Sequence, residues 1–182
     1  MPRHAASLIV LRDSARGAEM LMGVRGARHR FMPNRLVFPG GSVDEEDMGA
    51  PCASPLNATT RARLERSASP ALAHGLAIAA ARELEEETGL TLGAPPALDG
   101  LFYICRLITP GGPVRFDARF LVVSAERVSG TLAGSGELEG LRFYEIEEAL
   151  ALDLASPTRR VIARLLDWMR MERGDASRKE PA

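Results

Sequence analysis

The sequence has few cysteines and no long hydrophobic run, and these scarcities exclude several classes of protein. Only two of its 182 residues are cysteines, Cys52 and Cys105, and no CxxC pair occurs, so neither a disulfide framework nor a zinc cluster is indicated. The longest apolar run, Leu76–Ala81, has six residues, whereas a membrane-spanning helix needs about 20. The early apolar stretch Leu8–Leu11 is shorter than the roughly 7–15 residues of a secretory signal. We therefore expect a cytoplasmic protein with no membrane partner.

Neither sign of charge is in excess. The chain has 23 lysine and arginine residues against 24 aspartate and glutamate residues, a formal net charge of -1. This balance argues against a polyanion-binding surface over the whole molecule, so we expect no nucleic-acid polymer as a partner. Hydrophobic residues make up 46% and charged residues 26% of the chain, as is ordinary for globular proteins. Nothing in the composition fixes the oligomeric state, and a homodimer stays open.

The order of apolar runs and turn signals indicates one domain over residues 1–173 and a polar, frayed tail over 174–182. The predicted elements are strands over 7–12 and 19–25, which form a hairpin, strands over 36–38, 98–109, 114–125 and 138–146, and helices over 71–88 and about 158–173. Two helices flanking a mixed sheet make an α/β or α+β sandwich. The intervening stretch of about 42–70 is first acidic and then rich in Ala, Ser, Thr and Pro, which predicts a long surface insertion with a short helix within 56–67.

The helix predicted over 71–88 carries an unusual cluster of acidic residues near its end. At 100° per residue, Glu83, Glu86 and Glu87 fall within about 100° of one another on one face. Their mutual repulsion and the negative end of the helix dipole disfavour this arrangement, and Arg82 offsets only part of it. A hard divalent cation would turn this unfavourable clustering of charge into a favourable one, because Mg²⁺ and Mn²⁺ prefer carboxylate oxygens as ligands. A solvated acidic face is the alternative interpretation.

The full pattern around this cluster is more specific than the cluster itself. Arg82–Leu90 reads Arg-Glu-apolar-x-Glu-Glu-x-Gly-apolar, the core of the Nudix box, and Phe38-Pro39-Gly40-Gly41 is the second landmark of that family. From about residue 5 to 170 the sequence therefore resembles a Nudix hydrolase. The resemblance implies an α/β/α sandwich with a mixed sheet and a loop–helix–loop catalytic motif. It also implies Mg²⁺- or Mn²⁺-dependent hydrolysis of a nucleoside diphosphate linked to a further group.

The resemblance also assigns roles to residues of the box. Glu83, Glu86 and Glu87 would be metal ligands, with the carbonyl of Gly40 as a further one. Arg82 would orient a ligand carboxylate through charge-assisted hydrogen bonds. Hydrolysis of a diphosphate needs the phosphoryl charge neutralised and a water activated, and clustered divalent ions do both.

A general base is also needed, and the sequence leaves two kinds of candidate. In the family the base is a box glutamate, here Glu86 or Glu87, or an acidic residue on a later loop. Glu137, in the glycine-rich segment before the strand over 138–146, lies where that later acid is often found. An ordinary polar turn is the alternative interpretation of this segment.

Two features depart from the family pattern. The box normally has a further Glu at the position that His74 occupies here, and we assign His74 no role beyond the start of its helix. The loop between Gly41 and the helix, normally short, is extended by the insertion at about 42–70, as in a subset of Nudix proteins. That insertion is either a contact for a large substrate or a plain surface loop.

A basic cluster before the Pro-Gly-Gly turn bears on the substrate. Arg25 and Arg30 match in register the signature of coenzyme A diphosphatases, and we predict that they bind substrate phosphates. Arg119 is a further candidate for a phosphate or ribose, with a cross-strand ion pair as its alternative. Phe116 and Phe120, on the other strand face, are predicted to be core residues.

These features favour coenzyme A or another bulky dinucleotide as substrate. The alternatives are a nucleoside triphosphate pyrophosphatase, an ADP-ribose or NADH pyrophosphatase, and a non-catalytic Nudix-fold module that binds a nucleotide. Non-catalytic modules usually lose one or more box carboxylates, whereas all three stand here.

Overall fold

The computed structural model describes residues 1–26, 34–109, 111 and 114–179, with the backbone alone over 173–179. Its strands are β1 Arg3–Ser14, β2 Gly17–Arg25, β3 Leu36–Val37, β4 Gly40–Ser42, β5 Leu90–Thr91, β6 Phe102–Ile108, β7 Phe116–Ser124, β8 Ser129–Gly130 and β9 Leu138–Glu145. Its α-helices are α1 Ala58–Glu65, α2 Pro70–Thr88, α3 Ile146–Ala151 and α4 Ser156–Lys179.

The main sheet in the described part of the chain has seven strands and is mixed. The central path runs β3-β2-β1-β7-β6, with β4 paired to β1 and β9 paired to β2. Strands β1 and β7 are parallel, with Leu8 opposite Leu121, whereas the other pairs in this sheet are antiparallel. Strands β5 and β8 form a separate two-stranded ladder. The prediction of an α/β fold with a mixed sheet is confirmed.

Side chains alternate across β1, so the strand contributes to a core on each face of the sheet. Leu8 and Val10 pack with Leu76, Ala80 and Leu84 of α2. Ile9 packs on the other face with Val161, Ile162 and Leu165 of α4. The sheet therefore lies between two helical layers. None of the helices in the described residues combines the length and the apolar character that crossing a bilayer requires.

Local signals define both ends of α2, as the sequence predicts. The Ser69 hydroxyl accepts a hydrogen bond from Leu72 N–H, and Pro70 occupies the first turn, where it costs no backbone bond. At the other end Gly89 adopts φ 74°, and its N–H donates to Glu85 O at 2.9 Å. A left-handed cap of this kind favours glycine.

Residues 42–70 lie mostly at the surface, and the short helix predicted within 56–67 is present as α1, but the segment also contributes buried residues to the domain. A 3₁₀ turn at Glu46–Gly49 and helix α1 pack against the domain, and Leu64 is only 1% exposed. The Thr60 hydroxyl and the Asn57 amide donate to Leu101 O at 2.8 and 2.7 Å. These long-range bonds tie the insertion to the chain just before β6.

The end of α4 also differs from the prediction. The sequence favours a frayed tail from residue 174, but the helix continues to Lys179. No proline follows until Pro181, so nothing in the backbone chemistry forces the helix to stop at Gly174.

Candidate active site

A cleft of about 760 Å³ opens beside the C-terminal half of α2. Its acidic side is lined by Asp44, Glu83, Glu86, Glu87 and Glu137, next to the glycine turn at the start of β4. The structure therefore brings together the three box glutamates, the Gly40–Gly41 turn and the later acid, as the sequence predicts.

The two glycines allow α2 to approach β4 closely. A Cβ added at Gly41 would fall 2.7 Å from Glu83 Oε2 and closer still to the rest of that carboxylate. A Cβ added at Gly40 would fall 2.6 Å from the Cα of Ser7 on the neighbouring strand. Real Cβ contacts are not this short, so a side chain at either position would displace the carboxylate or the strand.

The most buried of the box carboxylates is Glu87. The residue is 3% exposed, and Gly40 N–H donates to its Oε2 at 2.9 Å. Burial raises the pKa of the Glu87 carboxyl to about 7, and the Gly40 hydrogen bond and the charge of Arg25 oppose this only in part. Burial likewise raises the pKa of Glu83, against the hydrogen bond from Arg82. Both carboxylates are thus held where a nearby cation would favour their charged form.

The side chain of Arg82 connects the box glutamates to the inserted segment. Its Nη1 donates to Glu83 Oε1 at 2.9 Å and lies 3.3 Å from Glu86 Oε2. Its Nε and Nη2 donate to the two oxygens of Asp47 at 3.1 and 3.0 Å. The Asp47 hydrogen bond and charge raise the pKa of the guanidinium further above its ordinary value.

Asp47 contacts the candidate site, and the sequence reasoning did not identify it. It lies in the Glu46–Gly49 turn, is 4% exposed, and accepts a further hydrogen bond from Asp44 N–H at 2.8 Å. The only signal in the sequence is the acidic run 44–47 after Ser42, which does not say that one member turns inward.

Glu137 reaches the cleft because its loop caps the C-terminal end of α2. Ala133 N–H donates to Thr88 O at 2.9 Å, and Ser135 N–H donates to Glu87 O at 3.4 Å. These bonds satisfy helix carbonyls that have no partner within the helix. The Glu137 charge contributes to the raised pKa values of Glu83 and Glu87. Its role as a base stays a prediction.

Of the two predicted substrate-binding arginines that the structure describes, Arg25 lines the cleft and Arg119 does not. Arg30 lies outside the described residues. The prediction for Arg119 is wrong, because this residue is 0% exposed and its guanidinium lies 2.9 Å from the Asp117 carboxylate on the α2 side of the sheet. The alternation of β7 turns Phe116 and Phe120 toward the cleft, where both line its wall, and Phe120 also packs against the core as predicted.

Comparisons with known proteins identify this arrangement. The model of the family described as NUDIX domain matches residues 73–165, which is half of the chain and includes the whole stretch Arg82–Leu90. The chain belongs to the Nudix hydrolase family. The resemblance seen in the sequence is confirmed, whereas the coenzyme A diphosphatase branch stays a prediction.

Individual relatives agree with this assignment. The crystal structure of a Nudix hydrolase from Alicyclobacillus acidocaldarius is 25% identical, with 90% of each chain covered and a TM-score of 0.68. A MutT Nudix hydrolase from Burkholderia pseudomallei shares the fold at 20% identity and a TM-score of 0.58, with 90% of this chain and 98% of that chain covered. A Caenorhabditis elegans protein assigned as nudix hydrolase 7 is 49% identical over 45 residues, which are 25% of this chain and 15% of the relative. This chain thus spans only a small part of that relative.

The Nudix assignment clarifies the two positions where the box departs from its family. His74, at the place of a box Glu, donates from Nε2 to Ala50 O at 2.7 Å. It therefore holds the insertion by a hydrogen bond and does not replace the carboxylate of the Glu. Asp47 in the insertion adds a third carboxylate partner to Arg82, beside Glu83 and Glu86. The insertion is therefore part of the support of the site.

The residues present fit a hard divalent cation. Three carboxylates and a backbone carbonyl are oxygen donors of the kind that Mg²⁺ and Mn²⁺ prefer, and the buried Glu87 carboxylate lacks a side-chain cation in hydrogen-bond contact within the described structure. As the side chains stand, no three acidic, histidine or cysteine groups of the described residues enclose a cation position. Arg82 Nη1 donates instead to Glu83 Oε1 and to the Glu86 carboxylate.

Proposed function

We propose that this chain catalyses the hydrolysis of the diphosphate linkage in a nucleoside diphosphate linked to a further group, with Mg²⁺ or Mn²⁺ as cofactor. The observation that carries the proposal is the convergence of Glu83, Glu86 and Glu87 on one cleft beside the Gly40–Gly41 turn. Repelling carboxylates at a helix C-terminus are unfavourable unless a cation joins them.

The glutamates of the acidic side and Arg82 then have three kinds of role. Glu83, Glu86 and Glu87, with the Gly40 carbonyl, would hold the cation, which when bound neutralises phosphoryl oxygens and acidifies water. Arg82 keeps the Glu83 and Glu86 oxygens oriented and is itself fixed by Asp47. Glu137 faces the same cleft and is the candidate base that accepts a proton from the attacking water.

The cleft also supports a substrate larger than a mononucleotide. Beyond the acidic side, its wall is apolar and includes Phe38, Leu107, Phe116 and Phe120. Its volume of about 760 Å³ is in the upper part of the range for small-molecule sites. We propose coenzyme A or another bulky dinucleotide as substrate, with Arg25 on a diphosphate oxygen.

A substrate screen tests the proposed reaction. Coenzyme A, NADH, ADP-ribose, diadenosine polyphosphates and nucleoside triphosphates are each incubated with the protein and Mg²⁺ or Mn²⁺, and products are separated by chromatography. The blank is Glu86→Gln, which keeps the size of the side chain and removes its charge. We expect turnover to fall by at least about 100-fold in this variant.

The matched control is Glu85→Gln, an exposed carboxylate of the same helix that bonds Thr91 and does not line the cleft. We expect this variant to keep wild-type turnover, and both variants to keep the wild-type circular dichroism spectrum. Equal cleavage by wild type and E86Q would refute the site. Absence of cleavage of every compound, with nucleotide binding retained, would favour a non-catalytic Nudix module. Preference for a triphosphate or for ADP-ribose would refute the coenzyme A assignment alone.

A further inference from the structure

Helix α2 carries a contact surface for the insertion about two turns before the box arginine. His74, Gly75 and Arg82 all contact residues 44–50, which we call the docked turn. Gly75 and Arg82 are seven positions apart, so they lie within about 20° of each other around the helix and about 10 Å apart along it. The docked turn therefore runs along one stripe of α2, from its second turn to the Nudix box.

Gly75 lets the docked turn lie directly on the helix. A Cβ added at Gly75 would fall 2.8 Å from Met48 Cγ and 3.3 Å from the backbone nitrogen of the same residue. Both distances are shorter than ordinary van der Waals contacts, so a side chain at this position would push the turn away from α2.

His74 holds the end of the docked turn. Its Nε2 lies 2.7 Å from Ala50 O, and Nε2 is the donor because a carbonyl oxygen only accepts. Ala50 N–H donates in turn to Asp47 O at 3.4 Å, within the same turn. The imidazole is half-buried and is not among the groups that line the cleft. Its contact is therefore with the support of the site.

The shape of the docked turn decides where the Asp47 carboxylate points. Oδ2 accepts from Asp44 N–H at 2.8 Å and from Arg82 Nη2 at 3.0 Å, and Oδ1 accepts from Arg82 Nε at 3.1 Å. Asp47 is 4% exposed, so water has little access to replace a partner that moves away. A shift of the turn would thus change the direction of the guanidinium.

We infer that His74 is a positioning residue for the proposed reaction, because through the docked turn and Asp47 it fixes the direction of Arg82. Arg82 in turn orients the oxygens of Glu83 and Glu86. The inference rests on the proposed function, since the orientation of these glutamates matters for turnover only if they hold the cation. The insertion is then a working part of the site.

Side-chain NMR in a chelating buffer tests this path without metal or substrate. The Arg82 Nε–H signal, identified by its loss in Arg82→Lys, should exchange slowly with solvent, because Nε donates to the buried Asp47 carboxylate. His74→Ala removes the donor to Ala50 O, and we expect exchange at Arg82 Nε to become at least about tenfold faster. In His74→Gln the amide nitrogen supplies a donor of similar reach, so exchange should return close to the wild-type rate.

The matched control is Thr60→Val, which deletes a buried hydrogen bond at the other end of the insertion. That bond joins Thr60 Oγ1 to Leu101 O at 2.8 Å and does not involve the docked turn. Tm should fall in T60V as in H74A, but exchange at Arg82 Nε should keep its wild-type rate. Unchanged exchange in H74A, or equally accelerated exchange in T60V, would overturn the inference, since His74 would then only stabilise the insertion.

Kinetics with a substrate found in the screen complete the test. We expect H74A to lower kcat about tenfold and to leave KM unchanged, because the imidazole lies outside the cleft lining. In the D47N background H74A should cause no further loss, since both changes act on the same arginine. Losses that multiply in the double variant would overturn the inference. A wild type that cleaves no compound would refute the proposed function, and the NMR result would still decide whether His74 positions Arg82.

Discussion

The substitution Asp47→Asn removes one charge at the junction between the insertion and the Nudix box. The asparagine amide keeps the size of the side chain but cannot neutralise the charge of Arg82. In the wild type the Arg82 guanidinium donates to the two Asp47 carboxylate oxygens at 3.1 and 3.0 Å. Removing one partner of a fully buried ion pair costs about 3–5 kcal/mol. The Asp47 side chain is 5% exposed, but that of Arg82 is 27% exposed. Water and the remaining partners of Arg82, namely Ser42 O, Glu83 and Glu86, therefore offset part of the loss.

We therefore expect D47N to lower the free energy of unfolding by about 2 kcal/mol. In a chain of this size that corresponds to a Tm about 4–8 °C lower. Activity should fall by about tenfold or more, because Arg82 loses the anchor that orients it toward Glu83 and Glu86. Calorimetry and steady-state kinetics at saturating Mg²⁺ measure the two effects. The control is E46Q, an exposed acid of the same turn, for which both effects should be small. Wild-type Tm and kcat in D47N would refute the reasoning.

Three further predictions concern other parts of the chain. Gly41→Ala pushes the Glu83 carboxylate aside and should lower kcat/KM by about 100-fold. The control is Gly49→Ala, where an added Cβ meets nothing within 4 Å, and it should keep the wild-type kcat/KM. Equal kcat/KM values for the two variants would contradict the close approach of Glu83 to Gly41. Burial acts to raise the pKa of Asp117, but hydrogen bonds and charges from Arg106 and Arg119 outweigh it and hold the pKa below its ordinary value. The stabilising contribution of the Asp117 carboxylate is thus present above the unfolded-state pKa of about 4 and is lost as pH falls through the folded pKa. The Tm of D117N should therefore fall less steeply with decreasing pH than the Tm of wild type. Parallel Tm–pH curves of the two proteins would refute this prediction. Burial raises the pKa of the Cys105 thiol to about 11. A disulfide reagent at pH 8 should therefore label Cys52 rapidly and Cys105 slowly. Two fast labelling phases in the folded protein would contradict the burial of Cys105.

The parts of the fold that the sequence predicts are those with local signals. Helix α2 has a serine cap, a proline in its first turn and a glycine at its end, and each is read from a few adjacent residues. The box glutamates share a face because helix geometry alone fixes their angles. Their meeting with Gly40–Gly41 follows from the family pattern, and the structure places both on one cleft.

The parts that escape prediction depend on contacts between distant segments. Asp47 and Arg82 are 35 positions apart, and the intervening insertion contains no signal that one acid of the run 44–47 is buried. For β7 the alternation is predicted correctly, but alternation does not say which face meets a cleft. Arg119 is therefore buried and pairs with Asp117 under α1 and α2, while Phe120 both lines the cleft and packs against the core of the other face.

Crystals of the protein soaked in Mn²⁺ and recorded at the manganese absorption edge test the central claim most directly. We expect an anomalous difference peak bounded by the carboxylates of Glu83, Glu86 and Glu87 beside Gly40, and its loss in E86Q crystals treated alike. A peak elsewhere on the molecule, or the same peak with undiminished height in E86Q, would contradict the assignment of these glutamates as the metal site.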